Sequence, residues 1–320
     1  MKKAFTLLEL IVVIGIIAVL AGVLLASFRT STESARAAQC LTNMKNLAQA
    51  VNAAAMEDAF NHNPPAGSTE IRFMTTSGAS IFVHNPGWIS WLCNHHEYSK
   101  YRDRAPHWYA NEHKSVNMAQ SYSDNDEDTR FAITNGAIWR AVAGNRSIYT
   151  CPTHVRYCRE HQHALPNWSY VMNSRFGWDS TKSAKIGSFG IEYGRLKRAD
   201  RTLMFAELPA ADPDSGKPIF DDSETGSDSV LQFQAAKAKS EDKFTAGGNA
   251  KAETIGFVHK TNRGKWCAHV VFADCHTEKL VWGKDGIKAQ ELASYLCRGF
   301  DVVFDGSGWS LPTGGDAVGN

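Results

Sequence analysis

Closely spaced cysteine pairs are missing from this chain of 320 residues: cysteines stand at 40, 93, 151, 158, 267, 275 and 297, and no two form a C-x-x-C. Zinc-ribbon and thioredoxin-like readings thereby lose their main signature. An odd count of 7 also forbids complete pairing within one chain, so at least one thiol is free or shared between chains. The nearest pair, Cys151 and Cys158, is a candidate short disulfide loop for a domain outside the cytoplasm. An excess of charge of one sign is missing too. With 34 Lys and Arg against 33 Asp and Glu, the chain has no electrostatic footprint for nucleic acid. No G-x-S-x-G nucleophile motif and no repeat of fixed period occurs, and between Val23 and Asn63 there is neither Pro nor Gly. The first absence weakens a hydrolase reading, and the last permits one long helix.

What is present begins at once. The uncharged run from Leu10 to Phe28 has the length, roughly 28 Å as a helix, to cross a bilayer's apolar core of about 30 Å. Lys2 and Lys3 precede it, which places the amino terminus in the cytoplasm and the remainder outside. Glu9 stands at its edge, where a carboxylate in hydrocarbon costs several kcal/mol. A secretory signal peptide, with Ala21, Gly22 and Ala26 as small residues for cleavage, and a plain anchor both leave Glu9 unexplained.

The stretch KKAFTLLELIVVIGIIAVLAG resembles the class III leader and first helix of type IV pilins and of type II secretion pseudopilins. The resemblance implies cleavage by prepilin peptidase between Ala4 and Phe5, N-methylation of Phe5, and Glu9 as fifth residue of the mature chain. Ala4 departs from the usual Gly but keeps a small side chain. In such subunits the carboxylate is neutralised by the free amine of a neighbour, which makes Glu9 an assembly register mark; the plainer expectation is that it reaches water at the headgroup boundary. The implied partners are homologous or identical pilin-like subunits, the peptidase and an inner-membrane assembly platform.

Beyond Phe28 the pattern becomes one-sided: Ala37, Leu41, Met44, Ala48, Val51 and Ala55 recur in steps of four and three, a narrow apolar stripe that needs a partner surface. The spacing predicts a helix from about Phe5 to near Phe60, ended by NHNPP around Pro64 and Pro65. From Ile71 onward, IRFMTT, SIFVHN, RSIYTC, TLMFAE, TIGFVH, CAHVVFA and TEKLVWG are strand candidates, with loops at SYSDNDEDTR, from Pro209 to Asp228 and around Gly247. The expected fold is α+β and pilin-like, a long helix packed on an antiparallel β-rich domain. Its parts are a leader at 1–4, a transmembrane half-helix at 5–28, an amphipathic half-helix at 29–60, a β-rich domain at 61–304 and a loose tail at 305–320. HKTNRGKWCAHVVFADCH also resembles the carboxy-terminal element of a pilin-like subgroup, His, nine residues, then Asp-Gly. Here fourteen residues separate His259 from Asp274, and Cys275 replaces the Gly, implying strain or a different turn.

Metal ligands are few and scattered. His259, His269, Asp274 and His276 are candidates for zinc, although strand alternation sets His269 opposite Val270 and leaves solvent-facing histidines as the plainer expectation. Asp124, Asp126 and Asp128 begin a calcium loop, but Thr129 stands where Gly is required and Asn135 where the closing Glu belongs, so a solvated acidic turn is favoured. No cofactor other than such a calcium ion is expected. Trp88, Trp91, Trp108, Trp168 and Trp178 are either core residues or faces for sugars. The leading expectation is a non-enzymatic pilin-like subunit, in the bacterial inner membrane until assembly, its globular domain periplasmic or extracellular. The alternatives are a membrane-anchored polysaccharide-binding module and an anchored hydrolase.

Overall fold

The computed structural model describes residues 7–58, 62–66, 69–74, 76, 80–85, 87–89, 120–121, 133–162, 165–166, 168–173, 176, 196, 198–213, 215–217, 230–231, 255–283, 303–304 and 309–310. Helix α1 runs unbroken from Leu7 to Glu57, about 77 Å, as expected for a stretch with no Pro or Gly in its second half. Asp58 ends it: its backbone N–H still bonds Ala54 O at 3.1 Å, while its side chain accepts from His62 N–H at 3.1 Å.

The two halves of α1 have opposite surroundings. Every large apolar side chain from Leu7 to Val23 is 44% to 76% exposed, so this part is not built into the described domain. Among the described residues no helix is long and apolar enough to cross a membrane. The transmembrane assignment of 5–28 therefore finds no confirmation among the described residues. Further along, Cys40, Asn43, Met44, Leu47, Ala48, Ala50, Val51 and Ala55 are buried. The stripe is wider than the spacing suggests and is centred on Leu47, with Ala37 and Leu41 at its half-buried margin. It lies on a sheet and on a second helix, α2 (Pro152–Glu160).

The strands in chain order are β1 (Thr69–Met74), β2 (Ser80–Asn85), β3 (Gln120–Ser121), β4 (Leu165–Pro166), β5 (Tyr170–Asn173), β6 (Leu203–Glu207), β7 (Val230–Leu231), β8 (His259–Lys260), β9 (Trp266–Phe272), β10 (Thr277–Val281), β11 (Val303–Phe304) and β12 (Trp309–Ser310). The main sheet has the order β10-β9-β6-β5-β7, with β8 also paired to β9. It is antiparallel except for β5 and β7. β1 and β2 form a separate antiparallel hairpin with Ile71 opposite Val83. β6 is buried along its whole length and β9 everywhere but at Trp266, so both faces of these strands are covered, one of them by α1. Trp88 closes the core, edge-on to Phe205 at 4.9 Å and stacked on Tyr149 at 5.9 Å.

Three segments differ from expectation. RSIYTC is a 3₁₀ turn over Arg146–Tyr149, not a strand, because the Asn145 side chain caps Ser147 N–H and Pro152 starts α2 directly after it. Among the described residues of TIGFVH, 255–259, only His259 joins a ladder, as the start of β8. Gly256 approaches the backbone of Leu208 and Pro209 too closely for any Cβ, and it spends its N–H on Glu207 O at 2.7 Å. Within the segment read as a tail, Trp309 and Ser310 pair with β11.

Candidate functional site

Under α1, four segments distant in sequence deliver polar side chains to one point of the core. Cys40 comes from the buried face of α1, Cys151 from the N-cap of α2, Glu207 from the last residue of β6 and His259 from the first of β8. All four are 0% exposed. Cys40 Sγ donates to Glu207 Oε1 at 2.7 Å, His259 Nε2 lies 2.8 Å from the same oxygen, and Cys151 Sγ is 3.4 Å from His259 Nε2. The other carboxylate oxygen accepts the His269 backbone N–H at 2.7 Å. Tyr170 Oη donates to Cys40 Sγ at 3.3 Å. The far nitrogen of His259, Nδ1, faces Glu33 Oε1 at 3.3 Å, and Glu33 is held by Thr153 Oγ1 at 2.9 Å and by Arg36 and Arg156 at 3.6 and 3.7 Å.

Charge is concentrated here. Burial opposes ionisation of Glu207, but the facing His259 and His269 hold its carboxyl well below the usual carboxylate range. Burial likewise opposes a cation at His259, yet Glu207, Cys151 and Glu33 together raise it far above an ordinary imidazole. For Cys151, burial alone would push the thiol up; hydrogen bonding with Cys40 and His259 brings it down to about 6. Cys40 moves the other way, pushed well up by burial and by the neighbouring Cys151 and Glu207. These directions favour an ion pair between Glu207 and His259 and make Cys151 easier to ionise than Cys40.

Of the candidate ligands, the structure brings His259 and His269 together, ring centroids 4.6 Å apart and both buried, which corrects the expectation of solvent-facing histidines. The reason is that β9 is covered on both faces, so alternation does not expose either set. Asp274 and His276 lie elsewhere, beyond the end of β9, where they pair with each other and His276 stacks on Phe272. Their turn borders an open groove of about 940 Å³ against Lys45, Asn52 and Met56 of α1. Asp124, Asp126 and Asp128 lie outside the described residues, as do Ala4 and Phe5. Glu9 is in the first turn of α1 on its exposed part. Cys151 and Cys158 are both free thiols: two helical turns separate them along α2, about 10 Å, beyond the roughly 7 Å a disulfide tolerates. Trp88 and Trp168 are fully buried and so belong to the core rather than to a sugar-binding face.

Sequence reasoning missed Cys40, Cys151 as a partner of His259, Glu207 and Glu33. Two signals pointed to them. Glu207 ends an otherwise apolar strand, LMFAE, where a lone carboxylate needs a buried partner, and Cys40 falls four residues before Met44 on the apolar stripe.

Against known proteins, residues 1–25 match the family model for the prokaryotic N-terminal methylation motif. No curated protein and no solved structure matches the chain. The chain thus carries a prepilin-type amino-terminal segment, similar to that of type IV pilin-like proteins.

Proposed function

We propose that this chain is a pilin-like structural subunit, cut by prepilin peptidase between Ala4 and Phe5, that assembles through its first helix into a type IV pilus or a type II secretion pseudopilus. The single observation that carries the reading is the methylation motif at residues 1–25, continuous with a helix whose amino-terminal part is apolar and exposed while its later part is built into the domain. An exposed apolar surface of that extent needs lipid or other subunits around it. The helix serves in the bilayer before assembly and in the filament core afterwards, and the subunit's activity is polymerisation rather than turnover. The buried Trp88 and Trp168 give no support to the polysaccharide-binding alternative. Mass spectrometry of the amino terminus isolated from the native host tests the reading. The expected result is a chain beginning at N-methylated Phe5; a chain that retains Met1, or one cut near Ala26, overturns it.

A further inference from the structure

The geometry points to a structural zinc site formed by Cys40, Cys151, Glu207 and His259, a centre that pins α1 to the sheet and to α2 and that does not depend on the filament reading. Each residue offers one ligand atom, and the four atoms lie within 4.8 Å of one another in the fully buried core.

The donor set selects the ion. Two sulfurs, one imidazole nitrogen and one carboxylate oxygen suit zinc, which takes four such ligands tetrahedrally, whereas calcium and magnesium prefer oxygen alone. With Zn–S near 2.3 Å and Zn–N or Zn–O near 2.0–2.2 Å, the edges of a tetrahedron come to about 3.5 Å for S to N or O and about 3.3 Å for N to O. Cys151 Sγ to His259 Nε2, at 3.4 Å, already has that edge. Cys40 Sγ to Glu207 Oε1 and His259 Nε2 to Glu207 Oε1, at 2.7 and 2.8 Å, are hydrogen-bond lengths. Zinc would replace the protons that now hold those pairs, with an expansion of about 0.5–0.8 Å at each edge.

The groups behind the ligands support the same assignment, because metal-binding side chains are oriented by outer partners. His259 presents Nε2 to the centre while Nδ1 faces the Glu33 carboxylate, the arrangement that fixes the ring and its tautomer in carboxylate–histidine–zinc units. Tyr170 Oη donates to Cys40 Sγ, and the His269 backbone N–H occupies Glu207 Oε2, leaving Oε1 directed inward. Cys151 sits at the amino-terminal end of α2, where the helix dipole favours a thiolate. His269 Nδ1, buried and without a hydrogen-bond partner, is 3.6 Å from Glu207 Oε1. It borders the centre as a further polar group rather than completing the set of four.

As the ion enters, the Cys40 thiol and His259 Nε2 give up their protons to solvent, so that two thiolates, a carboxylate and a neutral imidazole face the metal, and no oxidation is involved. The competing chemistry for the same sulfurs is a Cys40–Cys151 disulfide, which the test separates. The full-length chain is purified from membranes in detergent without chelator, and its metal content and cysteine state are measured. About one zinc per chain with both thiols reduced is expected. Exchange of zinc for cobalt(II) in the unaltered chain should give tetrahedral ligand-field bands together with thiolate-to-metal charge-transfer absorption, and C40S and C151S should each weaken zinc binding at least about tenfold. Zinc below about 0.1 per chain, a Cys40–Cys151 disulfide in non-reducing peptide mapping, or cobalt bound without thiolate absorption each overturns the site. The cobalt spectrum needs no variant, so a serine substitution that fails to fold leaves the test intact.

Discussion

At the scale of single residues, Cys275 shows how a departure from a motif is accommodated. Where the related element has Gly, this chain places Cys275 at φ +69°, the left-handed region, in the turn between β9 and β10. Its Sγ is 3.4 Å from Asn52 Nδ2, which also donates to Ala273 O at 2.9 Å, so the turn is tied to α1 from outside. We expect C275G to be at least as stable as the parent, within about 1 kcal/mol, because Gly adopts this conformation freely but loses more entropy on folding. C275V should lose about 1–2 kcal/mol, since a β-branched side chain clashes there; denaturant midpoints of the two variants distinguish the outcomes. Glu207 is a harder constraint. E207A leaves His259 buried without its nearest counter-charge, and the expected loss is about 3–5 kcal/mol, read as a lower unfolding midpoint. A loss below about 1 kcal/mol would mean that the carboxylate is not ionised in the fold.

At the scale of elements, α1 combines two helices in one. The absence of Pro and Gly made its continuity legible, and the apolar steps from Ala37 to Ala55 announced that the second half packs on something. That stripe alone hid its true width, because Cys40, Asn43 and Ala50 are small or polar and carry little weight in a hydrophobic pattern. Asn43 is buried because Nδ2 bonds Thr150 O at 3.0 Å, a partner more than one hundred residues away that no local spacing reveals. The strands TLMFAE and CAHVVFA were legible from their β-rich runs, whereas RSIYTC looked like a strand and folded as a turn because a cap and a helix start flank it. Leu47 is fully buried at the centre of the contact. L47A should lower stability by about 2–5 kcal/mol while leaving processing at Phe5 unchanged, measured by unfolding of the detergent-solubilised chain alongside its amino-terminal mass. An unchanged midpoint would show that the second half of α1 is not docked as described.

At the scale of the whole molecule, one helix connects a prepilin-type amino-terminal segment to a sheet whose core holds a polar cluster. In the proposed filament, Glu9 takes the amine of Phe5 on a neighbouring subunit as counter-ion, so E9Q should reduce incorporation at least roughly tenfold without altering the fold of the domain, measured by competition between tagged variants. Equal incorporation would remove the pairing and with it the register role of Glu9. The sequence by itself determined the amino-terminal segment and the length of α1, because both depend on contiguous residues: an apolar run, a carboxylate at a set position, and no helix breaker. It also determined the α+β class through the change from helical to strand-like patterning. Only the tertiary structure decided the buried cluster, since Cys40, Cys151, Glu207 and His259 are brought together by strand order and by the seating of α1, and those are set by packing between segments far apart in the chain.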